Sequence, residues 1–234
     1  MDFSEVIGQE EMAQRLRSLA DAERLPHAMM LCGPDGCGKM AMAIALATYL
    51  LNKGTFQVRG ISHPDLHFTY PTIKLKKWSS EYKPVSNDFI ESWRELLQNG
   101  AYFSLAQWLE AMGAENQQAI ITVGEAGELL KRMMMKANQG GWKVSIIWLP
   151  EKMNLECANK MLKLIEEPPQ HTIFIMVCRE PDELLDTIRS RVQRFDMKRI
   201  KTEDIATALI EKRGLQPEDA NRVARLSGGN WLKA

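Results

Sequence analysis

A three-layer α/β fold, with helices on both faces of a parallel sheet, is what this sequence predicts, on three observations. Short apolar runs alternate with stretches of helical period along most of the chain. The first of those runs stops at a glycine-rich loop and resumes as an Ala-rich helix, giving the order strand, loop, helix. Two later runs, residues 144–148 and 172–178, are rich enough in β-branched residues to be central strands of such a sheet.

In chain order, Met12, Leu16, Leu19 and Ala20 fall on one face between charged residues, so a helix precedes Pro26. Residues 28–32 form the first strand, and residues 40–51 a buried helix. A second strand is expected over 65–70, closed by Pro71. Residues 74–118 break the rhythm with Lys74, Lys76 and Lys77, three tryptophans (Trp78, Trp93, Trp108) and two helical patterns at 88–98 and 104–112; they read as an insertion. Between the two central strands, Leu155, Ala158, Leu162 and Ile165 share a helix face that Pro168-Pro169 ends. From about residue 201 only short helices follow, at 202–213, 217–226 and from 229 onward. Residues 1–198 are therefore expected as the α/β domain, with the insertion at about 74–118, and 199–234 as a small, truncated helical domain.

The chain has 234 residues, 45% of them apolar and 26% charged, enough for one large domain or two modest ones. Lys plus Arg and Asp plus Glu number 30 each, so no bulk field draws nucleic acid or anionic lipid; any such contact has to come from a local patch. The longest apolar run is far short of a membrane span, and the N-terminus lacks the order of a signal peptide, so a soluble cytoplasmic protein is expected. Cys32, Cys37, Cys157 and Cys178 lack paired ligand spacing and are expected as reduced structural thiols.

Chemistry is concentrated in Gly33-Pro34-Asp35-Gly36-Cys37-Gly38-Lys39-Met40, which fits G-x-x-x-x-G-K between a strand and a helix. Such glycines turn backbone N–H groups onto phosphates, and the lysine reaches the outer ones. Met40 stands where a hydroxyl belongs to hold magnesium. Trp148 stands where an aspartate would bind that ion, and Leu149 where a glutamate would polarise water. Glu151, two residues on and past a proline, reads as a surface or helix-start carboxylate. Weak ATP or ADP binding with negligible hydrolysis is expected, and function must lie in what the chain does to a neighbour.

Five further segments carry a resemblance: residues 2–9; Leu25-Pro26-His27-Ala28; His63-Pro64-Asp65; the run 158–169 ending Glu166-Glu167-Pro168-Pro169; and Arg179-Glu180-Pro181 with Ile188-Arg189-Ser190-Arg191-Val192. Together they resemble bacterial clamp-loader subunits of the AAA+ superfamily over nearly the whole chain except 74–118. Decayed nucleotide motifs beside an intact Ser-Arg pair are similar to the delta-prime branch of that family. The resemblance implies a RecA-like αβα domain, a helical lid, and a collar domain that this chain does not contain. It further implies a stator-like part in a loader of the sliding clamp on primed DNA, with gamma/tau and delta subunits as partners. Arg191 would be an arginine finger directed at ATP in the neighbouring subunit, its charge spread over several donors. Cys178 and Lys233 fall at the sensor positions. The alternative reading is an AAA+ ATPase active at its own loop.

Two departures from the family bear on cofactors. Many members carry a four-cysteine zinc module, whereas residues 52–62 hold no cysteine, so no zinc is expected. His63 and His67 are spaced i, i+4, but Pro64 argues against a shared helix face, and strand-edge residues are expected instead. The insertion's lysines and aromatics suit stacking on DNA, docking of a replisome protein, or packing on the chain itself.

Overall fold

The computed structural model describes residues 1–52, 63–114, 117–135, 137 and 141–234. Its sheet is built from β1 (Ala28–Cys32), β2 (Leu66–Thr69), β3 (Lys143–Trp148), β4 (Thr172–Val177) and β5 (Gln193–Asp196), all parallel, in the order β2-β3-β4-β1-β5. β1, β3 and β4 are buried along their whole length, as strands covered on both faces must be.

Side chains alternate between the two faces with the period of two that a strand imposes. Met29 and Leu31, Val144, Ile146 and Trp148, and Ile173, Ile175 and Val177 join one cluster with α1 (Glu10–Asp21) and α2 (Lys39–Leu51). Ala28, Met30, Cys32, Ile147, Phe174, Met176 and Cys178 join the other, against α5 (Val123–Met134), α6 (Leu155–Glu166) and α7 (Asp186–Arg189). The layers are therefore helix, sheet, helix, and every chemical group at the end of a strand belongs to one side or the other.

The insertion lies on the α2 side. Its helices α3 (Ile90–Gln98) and α4 (Leu105–Ala111) send Trp93, Leu97 and Trp108 into the same cluster as the sheet. Trp93 stacks on Tyr70 with ring centroids 4.0 Å apart, and Trp108 Nε1 donates to the Pro71 carbonyl at 2.7 Å. Two of the three tryptophans in this segment are thus core residues, held by the end of β2. After Ile200, α8 (Thr202–Arg213) and α9 (Pro217–Ser227) pair over a small core of Ile200, Ile205, Leu209, Ala220 and Ala224, into which Ile7 also reaches. Among the described residues, no helix is long and apolar enough to cross a membrane.

The start of the insertion is tied down by a buried carboxyl. Glu125 of α5 accepts from Ser86 N at 2.6 Å and from Thr69 Oγ1 at 3.2 Å. Burial raises its pKa above the usual carboxylate range, against those hydrogen bonds, which pull it down. The folded state then holds this proton more tightly than the unfolded chain does. Its contribution to stability is complete below the unfolded pKa and is lost as pH rises through the folded one. Glu125→Gln keeps an acceptor for Ser86 N and a donor for the Thr69 hydroxyl without the charge. Denaturant titrations from about pH 4 to about pH 8 should show the variant gaining stability relative to the parent as pH rises; a constant difference across that range would contradict it.

Candidate functional site

The glycine loop leaves the carboxyl end of β1 and caps α2 through Gly38, in the left-handed region at φ +93°. The space its glycines leave is already taken by the chain itself. A Cβ on Gly36 would lie 1.9 Å from Asn230 Oδ1, and the Gly36 carbonyl accepts from Trp231 N at 3.2 Å. A Cβ on Gly38 would lie 2.9 Å from the hydroxyl of Tyr102, which belongs to the insertion. Lys39 turns back on its own loop, Nζ donating to the carbonyls of Gly33 at 2.5 Å and Pro34 at 2.8 Å. Cys37 is fully buried, its thiol pushed up by that burial, and its carbonyl accepts from Gln9 Nε2 at 3.1 Å.

What remains in front of the loop is a cavity of about 80 Å³, bordered by Gly38, Lys39 and Met40 below and by Tyr102, Phe103 and Leu232 above. Pockets for small molecules run to roughly 300–1,000 Å³. The filling is specific. The Tyr102 hydroxyl accepts from Ile7 N at 2.9 Å, and burial pushes its pKa up to about 12, so the phenol stays protonated. Phe103 meets the Trp148 ring edge-on at 5.1 Å, and Trp93 lies 5.5 Å from it. Trp148 is an aromatic at a strand end that needs an apolar partner, and the insertion supplies it.

Leu149, also buried, takes a left-handed backbone at φ 55°, from which Pro150 starts a short 3-10 turn. That turn aims Glu151 at the end of β4. Its carboxylate accepts from Arg179 N at 3.0 Å, Glu180 N at 3.2 Å and the Cys178 thiol at 3.3 Å. Neighbouring Cys32, together with burial, raises the Cys178 pKa and keeps its thiol protonated. Glu151 therefore holds two strand ends together instead of projecting as a surface carboxylate.

Cys178 is a small, fully buried residue, and neither it nor Lys233 borders the cavity. Cys178 faces the α6 side of the sheet, while Val177 borders the cavity, because successive strand residues point oppositely. Lys233 is exposed on the terminal 3-10 turn (Trp231–Lys233), and Leu232 turns inward in its place.

Arg191 lies at the other edge of the sheet. It follows α7 and precedes β5, whose Gln193 pairs with Met29 near the start of β1. About 13 Å of strand separates that level from the glycine loop. The guanidinium is about two-fifths exposed, pairs with Glu166 through Nε, and donates from Nη1 to the Thr187 carbonyl at 2.8 Å. The Glu-Glu-Pro-Pro and Ser-Arg segments thus meet in one ion pair, and the remaining guanidinium surface faces outward.

Comparison with known proteins decides the family. The family model described as DNA polymerase III, delta subunit, matches residues 8–201. This chain belongs to that family. A delta' subunit from Yersinia pestis is 40% identical to the delta-subunit-family chain over 79 residues, 33% of this chain and 23% of the relative. The Bacillus subtilis delta' subunit is 22% identical over 231 residues, 94% of this chain and 56% of the relative. The tau subunit of the same organism is 27% identical over 223 residues, covering 94% of this chain and 33% of the relative. The family member described here therefore spans between about a quarter and just over half of these relatives. A DNA polymerase III gamma subunit-related protein from Thermotoga maritima superposes with a TM-score of 0.51 at 18% identity, covering 91% of this chain and 60% of the other. The RuvB Holliday junction branch migration motor of that organism superposes at 0.56 and 16%, covering 99% and 61%. The fold is thus the RecA-like AAA+ fold.

In this delta-subunit family member His63 and His67 border one groove. His63 Nδ1 accepts from Asp65 N at 2.9 Å, and His67 lies in edge strand β2. Burial, with Arg132 and Lys143 nearby, pushes the His67 pKa down to about 4. Among the described residues no three His, Cys, Asp or Glu side chains gather as ligands, and all four cysteines are buried and free. The zinc-module expectation concerns residues 52–62, of which 53–62 lie outside the described residues. Sequence reasoning missed Tyr102, Phe103, Asn230 and Trp231 as cleft-filling groups. The one available signal was the pairing of an apolar Trp148 at a strand end with an unusually aromatic insertion.

Proposed function

We propose that this chain is a noncatalytic, stator-like subunit of a DNA polymerase III clamp loader, acting with gamma/tau and delta subunits to place a sliding clamp on primed DNA. The asymmetry between the two edges of its sheet carries the reading. At the carboxyl edge, the groups that would hold metal and activate water are Met40, Trp148 and Leu149, and Tyr102, Phe103 and Leu232 crowd the loop. At the amino edge, Arg191 presents a guanidinium to the outside, where it serves as an arginine finger for ATP bound to the adjacent subunit.

No nucleotide is required by this chain in that role. Uptake at residues 33–40 needs Ala101–Leu105 to withdraw first, so binding of ATP or ADP is weak and nearly independent of magnesium. The test is a hydrolysis assay and an equilibrium titration with ATP, each with and without magnesium, on the isolated chain. Turnover above about 1 per second, ordinary for an enzyme, or tight binding abolished by a chelator, would overturn the proposal and make the chain an ATPase in its own right.

A further inference from the structure

The part of the insertion that does not enter the core has a surface of its own. Residues 74–83 contain Lys74, Lys76, Lys77 and Lys83 against the single carboxylate of Glu81. Among the described residues, none of these lysines is paired with an acid; Lys74 Nζ donates to the Ser80 carbonyl, and Lys76, Lys77 and Lys83 are exposed. In the same loop Tyr82 is 41% exposed although it is aromatic. It is held rather than free. Trp78 lies beneath it with ring centroids 5.0 Å apart, the Tyr82 hydroxyl donates to Asp88 Oδ1 at 2.8 Å, and Trp78 itself rests on buried Phe89 at 5.6 Å. Turns closed by Trp78 N to the Leu75 carbonyl and Tyr82 N to the Ser79 carbonyl fix the backbone between them.

Beside this ring runs a groove of about 390 Å³, bordered by Tyr82, Lys74, Lys83, Gln117, Gln118 and Ile120, with no carboxylate among its described lining residues. That volume takes one base with its sugar. The nearby acid, Asp88, is occupied by the Tyr82 hydroxyl and by Val85 N at 2.8 Å. A rigid aromatic platform, two side-chain amides, Lys74 and Lys83 at the border and Lys76 and Lys77 in the same loop are the components of a single-strand contact: π-stacking for a base, amides for its polar rim, ammonium groups for phosphates. A duplex offers no unstacked base to such a groove.

We infer that the Lys74–Lys83 loop and its groove bind single-stranded nucleic acid, one base against Tyr82 and the flanking phosphates on the lysines. This contact is independent of the glycine loop and of Arg191, so its failure leaves the clamp-loader reading untouched. The test is fluorescence anisotropy of the full chain with a labelled oligodeoxythymidylate of about twelve residues, across a salt series. Three phosphate contacts give a log–log salt slope of about −2. Tyr82→Ala should weaken binding about tenfold or more without changing that slope, and Tyr82→Phe, which keeps the ring on Trp78 but loses the bond to Asp88, should recover most of the difference. Lys76→Glu with Lys77→Glu and Lys83→Glu should abolish binding. Lys76, Lys77 and Lys83 are exposed, so thermal melting should be unchanged in the lysine variant, whereas Tyr82→Ala, which loses the contacts to Trp78 and Asp88, should stay folded with a slightly lower melting temperature. No binding at low salt, binding indifferent to Tyr82→Ala, or equal binding of a duplex of the same length overturns the inference. Preferential binding of polyglutamate also overturns it, and would make the loop a site for acidic peptides.

Discussion

Arg191→Ala is expected to leave this chain folded and able to enter the loader, yet to suppress ATP hydrolysis at the neighbouring subunit. The fold survives because the side chain is part-exposed and its ion pair with Glu166 is of a kind worth about 0–1 kcal/mol. Hydrolysis suffers because a guanidinium supplied from outside stabilises the charge of the transferring phosphoryl group, and its loss costs about three to five powers of ten at one site. Other sites of a ring continue to turn over, so total hydrolysis falls less than clamp loading does. Arg191→Lys keeps the charge without the planar fork and should restore only part of the activity. Lys39→Ala is the internal control. Its ammonium already bonds to Gly33 and Pro34, so the reconstituted loader should scarcely register its loss. Should Arg191→Ala prove silent while Lys39→Ala abolishes activity, the working nucleotide site is this chain's own.

Trp93→Ala is expected to have the largest effect on stability. Trp93 is 1% exposed and touches Tyr70, Phe68, Phe103, Trp108 and Trp148, joining the insertion to β2 and β3 at once. Truncating a buried tryptophan costs about 3–5 kcal/mol, which for a domain of this size lowers the melting temperature by about 6–20 °C. Loss of that support should also raise hydrogen exchange at Ala101–Leu105, the segment lying over the glycine loop. The two core tryptophans should differ when only the ring nitrogen is removed. Trp93 Nε1 has no partner among the described residues, whereas Trp108 Nε1 donates to the Pro71 carbonyl. Trp93→Phe should therefore be tolerated better than Trp108→Phe, which strands a buried acceptor. Equal melting temperatures for the two phenylalanine variants would refute this.

The elements that sequence reading recovers best are those whose local pattern and tertiary setting agree. The first strand matches β1 at both ends, and the helix expected at 202–213 is α8, closed by Gly214 in the left-handed region. α5 is unread because two glycines, Gly124 and Gly127, lower its helix propensity, although Ala126, Leu129 and Met133 give it one buried face. β5 escapes because it is an edge strand with only Phe195 buried, so neither an apolar run nor a clean alternation marks it. The glycine loop is legible from spacing alone; its covering is not. Tyr102 meets Ile7 across 95 positions of chain, and no local pattern reports such a contact. Glu151 does start a short helical turn, as expected, but its role is not legible because its partners lie at the end of another strand.

The contact between Gly36 and the Asn230-Trp231 turn has a consequence for how this molecule responds to the energy state of a cell. A hinge whose closed form is made by a bound nucleotide follows the ratio of ATP to ADP, since each species stabilises a different angle in proportion to its concentration. Here the closed form is made by the Gly36 carbonyl, the Trp231 amide and Tyr102, groups whose effective concentration is set by covalent connectivity. An angle fixed in that way is expected to depend little on adenylate supply, in line with the weak nucleotide binding proposed above. The spacing between the two helical hairpin elements and the sheet should be the same in a starved cell as in a growing one.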